Sequence, residues 1–264
     1  MKPEINDAAT VKQADEQRSS VEFQQVTFSY PGAEEPVICD ISFRALPGQT
    51  TAIIGGTGSG KSTLVSLIPR FYDVDSGSIR VDGVDVREIS QAHLRAKIGF
   101  VPQKAVLFSG TIAENIRYGK EDAADEEIRH ATAIAQATEF ISQMKDGFDA
   151  VIAQGGTNIS GGQKQRLSIA RALVRKPEIY VFDDTFSALD FKTDAQLRAA
   201  LKKETLAATV LIVAQRVSTV MDADQIIVLD NGRITGIGTH HELMKSCKVY
   251  HEIVASQLSL EEIA

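Results

Sequence analysis

Eight consecutive residues have the composition and spacing of a phosphate-binding loop. They run Gly55-Gly56-Thr57-Gly58-Ser59-Gly60-Lys61-Ser62. Glycines let the backbone turn tightly, so successive N–H groups point inward at phosphate oxygens. A helix that starts here adds partial positive charge. Lys61 would reach the outer phosphates, and the Ser62 hydroxyl would ligate Mg²⁺. The loop alone predicts a nucleoside triphosphate site, which many kinases and GTPases share.

Two carboxylates follow an apolar segment later in the chain. Residues 179–182 read Ile-Tyr-Val-Phe, and Asp183 and Asp184 come directly after them. A carboxylate at the C-terminal end of a buried strand, beside a phosphate loop, can hold Mg²⁺ through water. We assign that role to Asp183 and expect Asp184 to face the water that attacks the γ-phosphate. The alternative, a solvated pair of aspartates in a turn, does not explain their place in a chain with this loop.

A second glycine-containing segment predicts another helix start. Ser160 is suited to cap the helix, and Gly161 and Gly162 leave its first N–H groups uncovered. One nucleotide per chain would leave this second phosphate-binding end without a ligand. It has a purpose if it closes over a nucleotide held by another chain.

The elements that position these residues follow from hydrophobic periodicity. Short apolar segments at 51–54, 179–182 and 210–213 predict buried strands, and helical patterns cover 61–70, 125–143, 161–174 and 193–203. This alternation predicts an α/β fold with a mostly parallel core sheet covered on both faces. Residues 21–30 alternate like a half-buried strand, and Asp82-Gly83 and Asn231-Gly232 are typical of hairpin turns. The alternating segment at 21–30 and the Asp82-Gly83 turn indicate an antiparallel β layer near the N-terminus.

The predicted domain boundaries divide the chain into three parts. Residues 1–20 are polar and lack aromatic residues, which is typical of a linker or tail. Residues 21–250 form the main domain, with its core at 21–103 and 177–250 and an inserted helical subdomain at about 104–176. Residues 251–264 are expected to be a C-terminal tail.

Composition argues against several classes of protein. The formal net charge of −7 argues against a nucleic-acid-binding surface, which would be basic. Cys39 and Cys247 fit no metal spacing and indicate reduced thiols. No apolar run reaches the roughly 18 residues that span a bilayer, and no signal peptide is evident, so we expect the chain as given to be soluble.

From Val21 to Val254 the order of these motifs resembles the nucleotide-binding domain of an ATP-binding-cassette (ABC) transporter of the bacterial multidrug-exporter type. The resemblance implies a P-loop NTPase (RecA-like) core that binds ATP and Mg²⁺. Tyr30 matches the residue that stacks on adenine, and Gln103 the glutamine that touches Mg²⁺. Ser160 to Gln163 match the signature, and Asp190 lies in the loop that couples the two sites of a dimer.

The implied residues group by role. The ATP-binding set is Tyr30, Gly55, Gly56, Thr57, Gly58, Ser59, Gly60, Lys61, Ser62, Thr63 and Gln103. The signature that would contact a partner's ATP is Ser160, Gly161, Gly162 and Gln163. The Mg²⁺ ligands are Ser62, Gln103 and Asp183, and the catalytic pair is Asp184 and Gln215.

The resemblance also implies partners. Two such domains would dimerise head to tail with two ATP molecules at the interface, and the dimer would drive transmembrane segments. In exporters of this type those segments usually precede the domain in one polypeptide, so we expect the chain to be an excised domain. Its place would be the cytoplasmic face of the cell membrane, and no nucleic-acid partner is expected.

Three positions depart from the exporter pattern. Asp184 stands where the general base is normally Glu, Gln215 stands where the switch residue is normally His, and Gln154 replaces a glutamate. The binding parts are kept while the hydrolytic parts are weakened. This favours a degenerate site in a heterodimer, where the chain's signature completes the partner's competent site.

A purely regulatory ATP-binding module would differ from this degenerate site only in its residual turnover. Two further alternatives stay open at this point. One is a self-sufficient, homodimeric ABC ATPase that uses Asp184 adequately. The other is an ABC protein without a transport role, acting on DNA or the ribosome. Such proteins usually carry coiled-coil insertions or two cassettes in tandem, and this chain shows neither feature.

Overall fold

A computed structural model describes residues 5–7 and 19–257 of the chain. Most of the predicted linker at 1–20 therefore lies outside the described residues. The strands are β1 Val21–Phe28, β2 Ile38–Ala45, β3 Thr50–Gly55, β4 Ser76–Val81, β5 Val84–Asp85, β6 Ile98–Val101, β7 Gly110–Thr111, β8 Val151–Ile152, β9 Ile179–Asp183, β10 Thr209–Val213, β11 Gln225–Asp230 and β12 Arg233–Gly238. The α-helices are α1 Lys61–Ser66, α2 Gln91–Lys97, α3 Ile112–Arg117, α4 Asp125–Ile134, α5 Thr138–Gln143, α6 Gly161–Leu173, α7 Phe191–Glu204, α8 Val217–Val220, α9 His240–Ser246 and α10 Lys248–Ala255.

The central sheet has the strand order β12-β11-β3-β10-β9-β6. All neighbours in it pair parallel except β11 and β12, which form the antiparallel hairpin predicted at Asn231-Gly232. The predicted parallel α/β core is thus confirmed. Because the carboxyl ends of parallel strands meet at one edge of a sheet, the loops after β3, β9 and β10 come together there.

Both faces of this sheet are covered. Side chains alternate along a strand, so neighbouring residues of β3 enter different parts of the core. Ile54 packs with buried residues of α6, α7 and α10, whereas Ile53 packs with residues of α1 and the antiparallel layer. That layer has the order β2-β1-β4-β5, and its β4–β5 hairpin turns at the predicted Asp82-Gly83.

Two predicted helices end earlier than the periodicity indicated. Helix α1 stops at Ser66, and turns continue to Arg70, which has a left-handed φ of 55°. The helix predicted at 125–143 is two helices, because Gln136 adopts a φ of 55° between α4 and α5. A left-handed residue just past a helix end is a common C-terminal cap.

The C-terminal boundary also differs from the prediction. Helix α10 runs across residue 251, where a tail was expected to begin. Tyr250 and Val254 are both fully buried in the core. Burying two large apolar side chains ties the helix to the domain, so the packed structure extends past the predicted boundary.

The stretch at 104–176 contains α3, α4, α5, α6 and the β7–β8 pair, and its assignment as a separate subdomain stays a prediction. Among the described residues, no helix is both long and apolar enough to cross a membrane. In the same part of the chain, no cluster of His, Cys, Asp and Glu has the grouping of a metal site.

Candidate functional site

The phosphate loop joins β3 to α1, as the motif requires. Gly58 and Gly60 have left-handed φ values of 81° and 96°, which bring the loop round onto the start of the helix. Side chains added at Gly56 or Gly58 would meet nothing within 4 Å, so the space beside these residues is open. The loop therefore forms a cradle bounded by backbone.

Lys61 lies against this loop and is only 7% exposed. Its Nζ donates hydrogen bonds to the carbonyl oxygens of Gly55 and Gly56, at 2.8 and 2.7 Å, and approaches Ser59 Oγ at 3.4 Å. Burial lowers the pKa of the Lys61 ammonium, while the charges of Asp184 and Asp183 oppose that shift. A desolvated cation between two carboxylates and an open cradle is suited to a phosphate anion.

Gly55 fixes how closely the loop approaches β11. A Cβ at this position would lie 2.0 Å from the carbonyl oxygen of Leu229, a backbone atom that cannot turn aside. We expect Gly55→Ala to lower the free energy of unfolding by about 1–3 kcal/mol, because the strands must separate to admit the methyl group.

Gly56→Ala is the matched control, since its added methyl group meets nothing within 4 Å. Urea denaturation of the two variants and the unmodified chain measures the difference. Equal stability of the two alanine variants would contradict the predicted steric clash.

The Ser62 hydroxyl and the Asp183 carboxylate meet beside the loop. Ser62 Oγ donates to Asp183 Oδ1 at 2.8 Å, and Asp183 is 6% exposed. Burial raises the pKa of Asp183; the hydrogen bond from Ser62 opposes this rise and the charge of Asp184 adds to it. A hydroxyl and a buried carboxylate, both oxygen donors, fit the ligand preference of Mg²⁺.

Asp184 is held by two amide side chains that were predicted as site residues. Its Oδ2 accepts hydrogen bonds from Gln103 Nε2 at 3.0 Å and from Gln215 Nε2 at 2.8 Å. Its backbone is left-handed, with φ 44°, and its N–H donates to the carbonyl oxygen of Val213 at 3.0 Å. The structure thus gathers Gln103, Asp184 and Gln215 from three loops at one edge of the sheet.

Tyr30 lies just after β1 and is connected to the helix that follows the phosphate loop. Its Oη is 3.0 Å from Thr63 Oγ1, and its ring makes edge contacts with Phe28 and Tyr72 at centroid distances of 5.1 and 5.3 Å. These aromatic residues line a cleft of about 460 Å³, to which Ile5 also contributes. An exposed ring beside the loop is suited to stack on a base.

The signature residues form the N-terminal end of α6. Ser160 Oγ accepts from the Gln163 N–H at 3.2 Å, and Gln163 Oε1 accepts from the Ser160 N–H at 2.9 Å, so the two residues form a capping box. The predicted N-cap is confirmed. A side chain added at Gly161 would meet nothing within 4 Å, which leaves the helix end open to solvent.

No side-chain hydrogen bond joins the signature to the phosphate loop in the described part of the chain. The side-chain bonds of Ser160 and Gln163 join these two residues to each other. Hydrogen bonds therefore connect Ser62 with Asp183 and the two glutamines with Asp184, and none of them includes the signature.

Asp190 caps α7 and is held by Thr193, whose N–H and Oγ1 donate to its carboxylate at 2.9 and 2.7 Å. Arg216, which the sequence analysis did not single out, donates to the carbonyl oxygens of Leu189 and Ser187 at 3.3 and 3.0 Å. The residue after Gln215 thus fixes the loop that contains Asp190.

Two further glutamines contact the site and were missed. Gln165 is 2% exposed and donates to the carbonyl oxygen of Pro102, next to Gln103, at 3.1 Å. Gln257 donates to the carbonyl oxygen of Gln215 at 2.8 Å. Gln165 lies two residues after the signature, but no local pattern indicates its contact with Pro102. Gln257 lies in the segment that the sequence analysis predicted to be a tail, so no contact with the site was expected for it.

The family described as ABC transporter matches residues 38–187. An uncharacterized ABC transporter ATP-binding protein of Mycobacterium tuberculosis is 54% identical over 234 residues, which is 88% of this chain and 40% of that protein. A β-(1→2)glucan export ATP-binding/permease protein of Rhodopseudomonas palustris is 44% identical over 262 residues, covering 99% of this chain and 44% of that protein.

A solved structure of a bacterial Atm1-family ABC exporter with ATP bound has the same fold. The TM-score is 0.92 at 37% sequence identity, over 97% of this chain and 45% of the exporter chain. The chain therefore spans less than half the length of the relatives that it matches.

Proposed function

The chain belongs to the ABC transporter family as an ATP-binding domain, and we propose that it binds ATP with Mg²⁺ and pairs head to tail with a second such domain to power export across a membrane. The observation that carries this proposal is the pairing of Ser62 with buried Asp183 beside the cradle that Lys61 lines. The dimer would close on ATP and reopen after hydrolysis. Transmembrane segments fused before the domain in the native protein would receive this motion at the cytoplasmic face. The relatives described as ATP-binding/permease proteins support this arrangement.

The residues divide the work of binding. The ammonium of Lys61 exchanges its hydrogen bonds to the loop carbonyls for the outer phosphate oxygens, and the loop N–H groups hold the inner ones. Tyr30 stacks on the base. Ser62, Asp183 and Gln103 would hold Mg²⁺, which would supply positive charge to the phosphate oxygens.

The residues at positions 184 and 215 make this a weak hydrolytic site. Asp184 accepts two amide hydrogen bonds on one oxygen, from Gln103 and Gln215, which hold the carboxylate in place. The Gln215 amide, however, lacks the titratable imidazole that a histidine would bring to the phosphate. A carboxylate that is one methylene shorter than glutamate also holds an attacking water less well. The site therefore keeps its bound ATP for a long time before cleaving it.

The signature end of α6 acts on another chain's nucleotide. Ser160 and Gly161 are exposed, and the space beside Gly161 is open. A helix N-terminus attracts phosphate. The chain therefore completes the competent site of a partner domain, in a heterodimer whose second member carries the stronger base.

This role can be tested with the chain itself. The Asp184→Glu, Gln215→His variant, at limiting concentration, serves as the competent partner, and unmodified chain is added to it. We expect ATP turnover per competent chain to rise saturably, because the added signature completes its site. Adding Ser160→Asp chain is expected to give no rise, since aspartate still caps the helix but its charge repels the phosphate.

Ser160→Thr is the matched control, because it keeps both the cap and the neutral hydroxyl. Turnover is followed by phosphate release, and thermal denaturation checks that all variants fold. If the Ser160→Asp chain stimulates turnover as well as the unmodified chain does, the signature does not act in trans and the proposed pairing is wrong.

A further inference from the structure

Gln257 lies just past the end of α10, and its side chain hydrogen-bonds the main chain on both sides of Arg216. Its Nε2 donates to the carbonyl oxygen of Gln215 at 2.8 Å, and its Oε1 accepts from the N–H of Val217 at 2.9 Å. One amide group thus serves as donor and acceptor at once. Gln215 in turn donates to Asp184 Oδ2 at 2.8 Å, so two steps connect the C-terminal helix to the catalytic carboxylate.

Helix α10, from which Gln257 extends, is fixed to the core of the domain. Tyr250 and Val254 of α10 are fully buried, and Tyr250 Oη is 2.8 Å from His240 Nδ1. The N–H of Gln257 donates to the carbonyl oxygen of Val254 at 3.0 Å, which sets the direction of its side chain from the helix end.

The central sheet holds the segment at 215–217 only from its N-terminal side. Ala214 N–H donates to the carbonyl oxygen of Ile53 at 3.1 Å, and Gln215 follows it and is exposed. Val217 is the first residue of α8, whose N–H has no partner within the helix. Gln257 supplies that partner, and it fixes the segment where the switch side chain leaves the sheet.

We propose that Gln257 is a positioning residue for ATP hydrolysis, which keeps the main chain at 215–217 where the Gln215 amide meets Asp184. This inference rests on the proposed function, because it assigns Gln257 a part in the same reaction. The side-chain hydrogen bonds described for Gln257 go to Val217 and Gln215 and none goes to the phosphate loop, so it acts on the rate of cleavage and leaves ATP affinity unchanged.

The chemistry of the amide distinguishes the useful substitutions. Gln257→Ala removes both hydrogen bonds. Gln257→Glu keeps an acceptor for Val217 but places a carboxylate against the carbonyl oxygen of Gln215, where it repels. Gln143→Ala is a matched control, because Gln143 is an exposed glutamine at the end of α5.

The test combines hydrogen exchange with single-turnover hydrolysis of radiolabelled ATP by excess full chain. We expect Gln257→Ala to speed exchange of the Val217 amide about 10-fold or more. The same variant should lower the single-turnover rate about 10-fold, with the half-saturating concentration unchanged within twofold. Gln257→Glu should lower the rate similarly, and Gln143→Ala should change neither quantity.

A double-mutant cycle with Gln215→Ala identifies the route of the effect. If Gln257 acts through Gln215, Gln257→Ala adds no further loss in the Gln215→Ala background. An additive loss, or an unchanged Val217 exchange rate, overturns the inference. If the unmodified chain binds ATP but cleaves none, the hydrolytic part of the proposed function is wrong. The exchange rate of the Val217 amide then decides by itself whether Gln257 holds the segment at 215–217.

Discussion

The double substitution Asp184→Glu, Gln215→His is expected to raise the rate of ATP hydrolysis about 100-fold over that of the unmodified chain. Glutamate advances the carboxylate by about 1.5 Å, the length of one carbon–carbon bond. Histidine replaces the Gln215 amide, which donates to Asp184 Oδ2 at 2.8 Å, and brings a titratable imidazole to the phosphate. Steady-state phosphate release with saturating Mg·ATP measures the change.

The Michaelis constant for ATP separates this effect from a change in binding. Lys61 and Ser62 are untouched in the double variant, so we expect its Michaelis constant to stay within about threefold of the original. The two single substitutions serve as controls, and their effects should not add, because both side chains belong to one hydrogen-bonded group. Equal rates for the unmodified chain and the double variant would favour the alternative of a fully active homodimer.

Lys61→Met should weaken ATP binding about 100-fold, which corresponds to roughly 2.7 kcal/mol. The ammonium now bonds the carbonyl oxygens of Gly55 and Gly56, and these bonds are exchanged for phosphate oxygens that carry charge. A phosphate oxygen carries negative charge and a carbonyl oxygen does not, so the exchange strengthens the bonds that the ammonium makes. Methionine fills the same space without the charge, so the loop keeps its shape.

Lys245→Met is the matched control, since Lys245 is exposed on α9. Equilibrium binding of a fluorescent ATP analogue, with Mg²⁺ present, gives both dissociation constants. We expect the control to bind like the unmodified chain. A Lys61→Met chain with unchanged affinity would show that the loop is not the phosphate site, even though its backbone geometry fits one.

The parts of the site that depend on contiguous residues could be predicted from the sequence. The run from Gly55 to Ser62 determines its own turn, because glycine supplies the left-handed angles at 58 and 60. Asp183 and Asp184 follow a buried strand, and parallel pairing brings that strand's end to the edge where β3 ends. Local chemistry and one topological rule were sufficient for this part.

The contacts that the sequence did not predict join residues far apart in the chain. Gln257 reaches Gln215 only because α10 folds back onto the core through Tyr250 and Val254. The helical periodicity of α4 continues past its actual end, since nothing in the local pattern requires Gln136 to be left-handed. Long-range packing decides such details, and a single sequence shows it poorly.

The order of strands in the central sheet has a consequence for synthesis. Strand β3, which leads into the phosphate loop, lies between β10 and β11, and both of these begin after residue 208. A chain emerging from the ribosome therefore contains the complete loop well before either neighbour of its strand exists. Nucleotide cannot stabilise the nascent domain until most of it has been translated, and the loop that is made early becomes able to bind late.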